Sequence, residues 1–64
     1  MQITLLPARK RVELAGRQRV SEGLKALNLV AGTVMVIRGD ELVIEQEMLE
    51  ADDEIEIRNV ISGG

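Results

Sequence analysis

Sixty-four residues with no Phe, Tyr, Trp or Cys must build a core from aliphatic side chains alone, and that narrows what the chain can fold into. A chain this short buries only about 60% of the surface exposed by its unfolded state. Ile, Leu, Val and three Met therefore have to fill one compact interior, without aromatic bulk and without a disulfide to hold it. Such a length supports a single domain. Lack of Cys also removes thiolate metal sites and persulfide carriage on a side chain. Lack of His removes the usual general base and the commonest metal ligand. No apolar run approaches the roughly 20 residues that a membrane span requires. The charged residues 1–11 do not have the form of a secretory signal. The expectation is a soluble, cytoplasmic protein.

Hydropathy patterning divides the chain into short elements. Met1, Ile3 and Leu5 alternate with Gln2 and Thr4, as in a half-buried strand. Pro7-Ala8-Arg9-Lys10 interrupts the pattern as a hairpin loop. Val12 and Leu14 resume the period of two until Gly16. From Val20 the period changes, because Val20, Leu24 and Leu27 fall on one face of a helix. Gln18 and Arg19 occupy its cap region and give a weak start signal. Asn28 suits a left-handed C-terminal cap, with Leu29 folding back onto the helix. Gly23 inside the helix costs about 1 kcal/mol against Ala; it marks either close packing on the sheet or a tolerated weakness.

Val34-Met35-Val36-Ile37 is an uninterrupted apolar run and predicts a central strand buried on both faces, or nearly so. Arg38-Gly39-Asp40-Glu41 predicts a tight turn into Leu42-Val43-Ile44. Its Arg-Gly-Asp string is assigned to the turn's need for glycine and not to adhesion. Met48 and Leu49 are expected to pin an acidic loop to the core. Asp52-Asp53 lacks the spaced oxygen ligands of a calcium loop and predicts a turn, so no metal site is expected. Glu54-Ile55-Glu56-Ile57 alternates cleanly, and Val60 and Ile61 are expected to carry that strand onward.

A hairpin, a packing helix and further strands ending in a long last one is the order of an α+β, β-grasp domain. That fold implies a mixed sheet of four to five strands on one main helix, with the last strand central beside the first. Residues 1–61 are assigned to the domain and 62–64 to an extended, flexible tail. Gly63-Gly64 has no side chains, so such a tail can thread a narrow enzyme channel where any Cβ would collide. Three to four extended residues reach roughly 10–14 Å, enough to carry a carboxylate into another protein's active site.

Charge is split along the chain. Residues 1–32 carry six Lys or Arg against two acids, a net of +4; residues 33–64 carry two Arg against nine acids, a net of −7. The acidic half argues against a nucleic-acid groove, which needs a cationic surface. Opposite patches suit steering toward a protein partner.

The β-grasp order, Asp52-Asp53-Glu54-Ile55-Glu56-Ile57 before the last strand and Val60-Ile61-Ser62-Gly63-Gly64 after it resemble the prokaryotic ubiquitin-like sulfur carriers. The resemblance covers essentially the whole chain. Leu6-Pro7-Ala8-Arg9-Lys10, Arg38-Gly39-Asp40-Glu41-Leu42 and Ile61-Ser62-Gly63-Gly64 look most like the carriers for tRNA 2-thiouridine, some of which also modify proteins. The thiamine carriers' Asn-Gly turn and loop Trp are absent, as is the proline pair of molybdopterin carriers. The resemblance implies that the Gly64 carboxylate is adenylated by an E1-like adenylyltransferase using ATP and magnesium. A sulfur donor of cysteine desulfurase or rhodanese type then displaces AMP to leave a thiocarboxylate, and a sulfurtransferase accepts the sulfur. The same activated end can form an isopeptide with lysine, for which Lys10 and Lys25 are the candidate acceptors.

The carrier itself is then a monomeric co-substrate with no bound cofactor, and catalysis belongs to its partners. Gly63 provides slim passage, Ser62 a hydrogen bond to a channel wall, Ile61 and Val60 contacts to the activating enzyme, and Arg58 a pair with an acidic partner groove. For Val60, core packing is the stronger expectation. Two other classes compete. A ubiquitin-like interaction module would bind through an exposed aliphatic sheet face and would not need Gly63-Gly64. A small enzyme has only scattered hydroxyls and acids to work with, and no His to activate them.

Overall fold

The computed structural model describes residues 1–60. Among them the elements run β1 (Gln2–Leu6), β2 (Lys10–Glu13), β3 (Gln18–Arg19), α1 (Val20–Ala26), a 3-10 turn (Ala31–Thr33), β4 (Val34–Arg38), β5 (Glu41–Val43), β6 (Met48–Leu49) and β7 (Glu54–Asn59). Five strands form one mixed sheet in the order β2-β1-β7-β4-β5, while β3 and β6 make a separate two-stranded ladder. β1 and β7 are parallel, with Ile3 opposite Ile55 and Leu5 opposite Ile57. The β1–β2, β4–β5 and β4–β7 pairs are antiparallel. This is the expected β-grasp arrangement, with the last strand at the centre of the sheet.

Alternation on each strand selects which side chains meet the helix. Ile3, Val36, Val43, Ile55 and Ile57 point to one face and are buried with Val20 and Leu24 of α1, Met1 and Leu49. Leu5, Leu14, Leu27 and Leu29 pack around them. The helix ends as its sequence predicts. Asn28 has φ 63°, Leu29 N–H donates to Leu24 O at 2.8 Å and Asn28 N–H to Lys25 O at 3.0 Å. Both bonds are those of a Schellman cap.

The helix start is built differently from expectation. Gln18 and Arg19 are not merely a cap region; they form β3 and pair with Leu49 and Met48. The orphan donors of the first turn are taken up by backbone from far along the chain. Val20 N–H donates to Glu47 O at 2.9 Å and Ser21 N–H to Glu45 O at 3.0 Å. Glu22 Oε1 accepts from Arg19 N–H at 2.9 Å. No local capping residue is needed because the 45–47 segment supplies the acceptors.

Three further expectations change. Val34-Met35-Val36-Ile37 lies in an interior strand, yet only one face is covered: Val36 is buried while Met35 is 37% exposed. One seven-residue helix covers one side of a five-stranded sheet, and nothing among the described residues covers the other. Val60 is not a core residue. β7 stops at Asn59, and Val60 is 48% exposed, although its N–H still donates to Thr33 O at 3.1 Å. The expected continuation through Ile61 lies outside the described residues. Gly23, finally, does not mark a close approach. A Cβ there would meet Leu14 Cδ1 at 3.8 Å and Gln18 Oε1 at 3.9 Å, which is ordinary contact.

The Arg38 turn is a two-residue hairpin closed by the Arg38–Glu41 pair. Gly39 occupies the position where φ is +68°, a conformation that L side chains resist. Arg38 itself turns inward. Nη1 donates to Met48 O at 3.0 Å, Nη2 reaches Glu47 Oε2 at 3.3 Å, and Asp53 Oδ2 lies 3.7 Å away. Asp53 Oδ2 in turn accepts from Glu50 N–H at 2.8 Å. One guanidinium thus ties β4 to the loop that caps α1 and to the turn that opens β7.

This packing has two consequences for stability. Gly23→Ala should stabilise the fold by about 0.5–1 kcal/mol, since it removes unfolded-state freedom without a clash; a lower urea midpoint would contradict the contact geometry. Arg38→Met keeps the aliphatic stem but removes the guanidinium from the Met48 carbonyl and from three acids, Glu41, Glu47 and Asp53. It should cost about 1–2 kcal/mol, a charge-assisted bond discounted for partial exposure, measured as a fall in the same midpoint.

Candidate functional site

The site expected from the sequence is the end of the last strand. Of its residues Ile61, Ser62, Gly63 and Gly64 lie outside the described ones, so the structure defines the platform from which they leave. That platform is β7 between β1 and β4, with Arg58 opposite Leu6 on one side and Met35 on the other, and Asn59 opposite Val34. Pairing on both edges holds the strand nearly to its end. Beyond it, Thr33 acts as a clamp. Its N–H and Oγ1 both donate to Val30 O, at 2.9 and 2.7 Å, while its own carbonyl accepts from Val60.

Arg58 lies on the sheet face away from the helix. Its Nε contacts Glu56 Oε2 at 3.0 Å, with the two side chains 55% and 40% exposed. An exposed pair of this kind is worth about 0–1 kcal/mol, so the guanidinium can exchange Glu56 for a partner's carboxylate at little cost. A shallow cleft of about 410 Å³ adjoins it, lined by Leu6, Pro7, Arg9, Arg58 and Asn59. The same sheet face is apolar along β4 and β5, where Ile37 stands opposite Leu42 and Met35 opposite Arg58. Val30, at 67% exposure, adds a further aliphatic group beside Thr33.

The charge split in the sequence becomes a gradient along the strands. Because β1 and β7 are parallel, Leu6 and Arg58 share one end of the sheet, and the turn that carries Arg9 and leads to Lys10 lies there too. Gln2, paired with both Glu13 and Glu54, marks the other end, next to Asp52 and Asp53. The end of β7 is therefore the cationic pole. Of the two lysines, Lys10 is exposed at that pole and Lys25 is exposed in the last turn of α1. The structure brings Lys10 and Arg58 to the same end and leaves Lys25 on the helical layer.

The sequence patterns did not single out Val30 or Thr33, and they gave Leu6 and Met35 no part in the site. A loop valine and a lone threonine carry no periodic signal; the β1–β7 register brings Leu6, the β4–β7 register Met35, and the Val60–Thr33 bond the 30–33 turn to the end of β7. The groups gathered here are a guanidinium, backbone and aliphatic surface, the kinds of group found in protein interfaces. Among the described residues no three acids converge as a cation site, and no helix is long and apolar enough to cross a membrane.

No protein-family model matches the sequence. Among curated proteins the chain is similar to "Sulfur carrier protein TtuB" of Thermus thermophilus. The two are 39% identical over 59 residues, which span 92% of this chain and 91% of that protein.

Proposed function

The chain belongs to the prokaryotic ubiquitin-like sulfur carriers, and from that premise we propose that Gly64 bears the sulfur. An E1-like adenylyltransferase uses ATP and magnesium to convert the Gly64 carboxylate to an acyl adenylate, releasing pyrophosphate. Oxygen leaves a carboxylate poorly, whereas AMP is a competent leaving group, and a sulfur donor of desulfurase or rhodanese type displaces it. The outer sulfur of the donor's persulfide forms the new C–S bond as AMP leaves, and a thiol then cleaves the resulting acyl disulfide, which releases the thiocarboxylate and leaves the donor cysteine in a disulfide with that thiol. A sulfurtransferase then accepts the sulfur for tRNA 2-thiolation, the branch favoured by Leu6-Pro7-Ala8-Arg9-Lys10 and Arg38-Gly39-Asp40-Glu41-Leu42. Interception of the activated end by an amine such as Lys10 or Lys25 gives an isopeptide instead.

The observation that carries this proposal is the similarity to a sulfur carrier over nearly the whole of both chains. The platform supports it. A strand paired on both edges up to Arg58, and on one at Asn59, presents the tail from a fixed base. Arg58, Met35 and Val60 surround that base with one cation and two exposed aliphatic groups. A partner that takes Gly63 and Gly64 into its channel meets this surface at the channel mouth. Anchoring there lowers the entropic cost of threading the last residues.

Two experiments test the proposal. Incubation with an adenylyltransferase of this family, ATP, magnesium, a persulfide donor and a thiol reductant should raise the intact mass by the difference between sulfur and oxygen, and only with ATP. Absence of that gain with an enzyme proven on another carrier would defeat it, as would full function after deletion of Gly63-Gly64, the outcome expected of a plain interaction module. On the platform, Met35→Glu should raise KM for adenylation about tenfold with little change in kcat, the loss of one interface anchor. An unchanged KM would move the docking surface elsewhere.

A further inference from the structure

The two edges of the main sheet are finished differently. Lys10, Arg11 and Glu13 line the β2 edge, and the preceding turn adds Arg9. Charges in such positions keep an edge strand from pairing with another chain. The β5 edge carries no Lys or Pro, and its register with β4 is unbroken. Around it the chain runs Asp40-Glu41-Leu42-Val43-Ile44-Glu45, an aliphatic stretch closed by acids at both ends. Leu42 and Ile44 are each 59% exposed.

The backbone is also open there. Arg38 and Glu41 close a two-residue hairpin, so Ile37 and Leu42 form the next, non-hydrogen-bonded pair. The N–H and C=O of Leu42 therefore face outward from the sheet. Beside this edge a groove of about 210 Å³ runs between α1 and the β4–β5 hairpin, with Val20, Leu24, Val36 and Val43 beneath it and Ile44 and Glu45 on its rim. An added strand would satisfy Leu42, cover the exposed aliphatic groups and lay alternate side chains into the groove.

Charge identifies the occupant. The Glu41 side chain is 72% exposed and only 3.8 Å from Arg38 at its closest, and Asp40 and Glu45 are exposed. An acidic segment would be repelled at both ends. Pairing with the β5 edge of a second copy would set acids against acids. We infer that this edge and groove receive an extended segment of a partner protein, aliphatic in the middle and flanked by Lys or Arg, as a sixth strand of the sheet. β4 separates this edge from β7, so a partner held here leaves Arg58 and Val60 free for the protein that takes the tail.

The test is an NMR titration of the intact chain with two synthetic peptides, acetyl-RVIVR-amide and acetyl-EVIVE-amide. The basic peptide should shift the amides of Leu42, Val43 and Ile44 together with Leu24, and bind more weakly as salt is raised. The acidic peptide should bind about tenfold more weakly or not at all. The double variant Leu42→Lys/Ile44→Lys should abolish the shifts while Ile3 and Ile57 amides keep their positions, which reports an intact fold. Equal binding of both peptides, shifts confined to Met35 and Arg58, or binding that survives the double variant would overturn the inference. So would concentration-dependent shifts of the same amides without peptide, which would assign the edge to a second copy. No activating enzyme is present, so a negative result strikes this surface and not the carrier function.

Discussion

Parallel pairing of the first and last strands is the contact on which the rest of this molecule depends. Five residue pairs, from Gln2–Glu54 to Leu6–Arg58, put the final strand in the middle of the sheet instead of at an edge. Ile3 against Ile55 then lies at the centre of an aliphatic core that has no aromatic ring to fill it, and Ile57 extends it with the half-buried Leu5 beside it. A parallel pair needs a long crossover, and the connection here contains the helix that covers the sheet. A central strand is held from both sides, so the end of β7 at Arg58 and Asn59 is a fixed point of the fold.

The second half of the chain is organised by backbone satisfaction as much as by burial. The acidic 45–53 segment has few apolar residues, yet it supplies the acceptors for the first turn of α1 and a partner strand for Gln18–Arg19. Arg38 fixes that segment through Met48 O, Glu47 and Asp53. In a domain with so little apolar surface to bury, these long-range polar contacts take the place of a longer helix or a larger core. They also explain why the Arg-Gly-Asp string is structural: its arginine faces the protein.

Charge separates into regions of the surface. The cationic pole of Arg58, Arg9 and Lys10 lies at the end of β7, and the aliphatic side of β4 lies next to it. The acids collect at the far end of β7 and around β5. A molecule with a net charge of −3 can therefore present a positive face to one partner and a negative face to another.

The amino-acid sequence by itself determined the local and periodic features. Alternation placed β1 and β7, the Val20-Leu24-Leu27 stripe placed α1, Asn28 placed its end and Gly39 its hairpin, because each of these states is set by a few neighbouring residues. The family resemblance was legible in the sequence as well, from short motifs along the chain. Long-range register decided the rest. Only the fold showed that the apolar run of β4 is covered on one face, since burial depends on how many layers pack on a strand and not on the strand's own composition. Only the fold exposed Val60 and brought Thr33 to it, and only the fold exchanged a weak local cap for the carbonyls of Glu45 and Glu47. Those contacts join residues far apart in the chain, and nothing in a local pattern encodes such a distance.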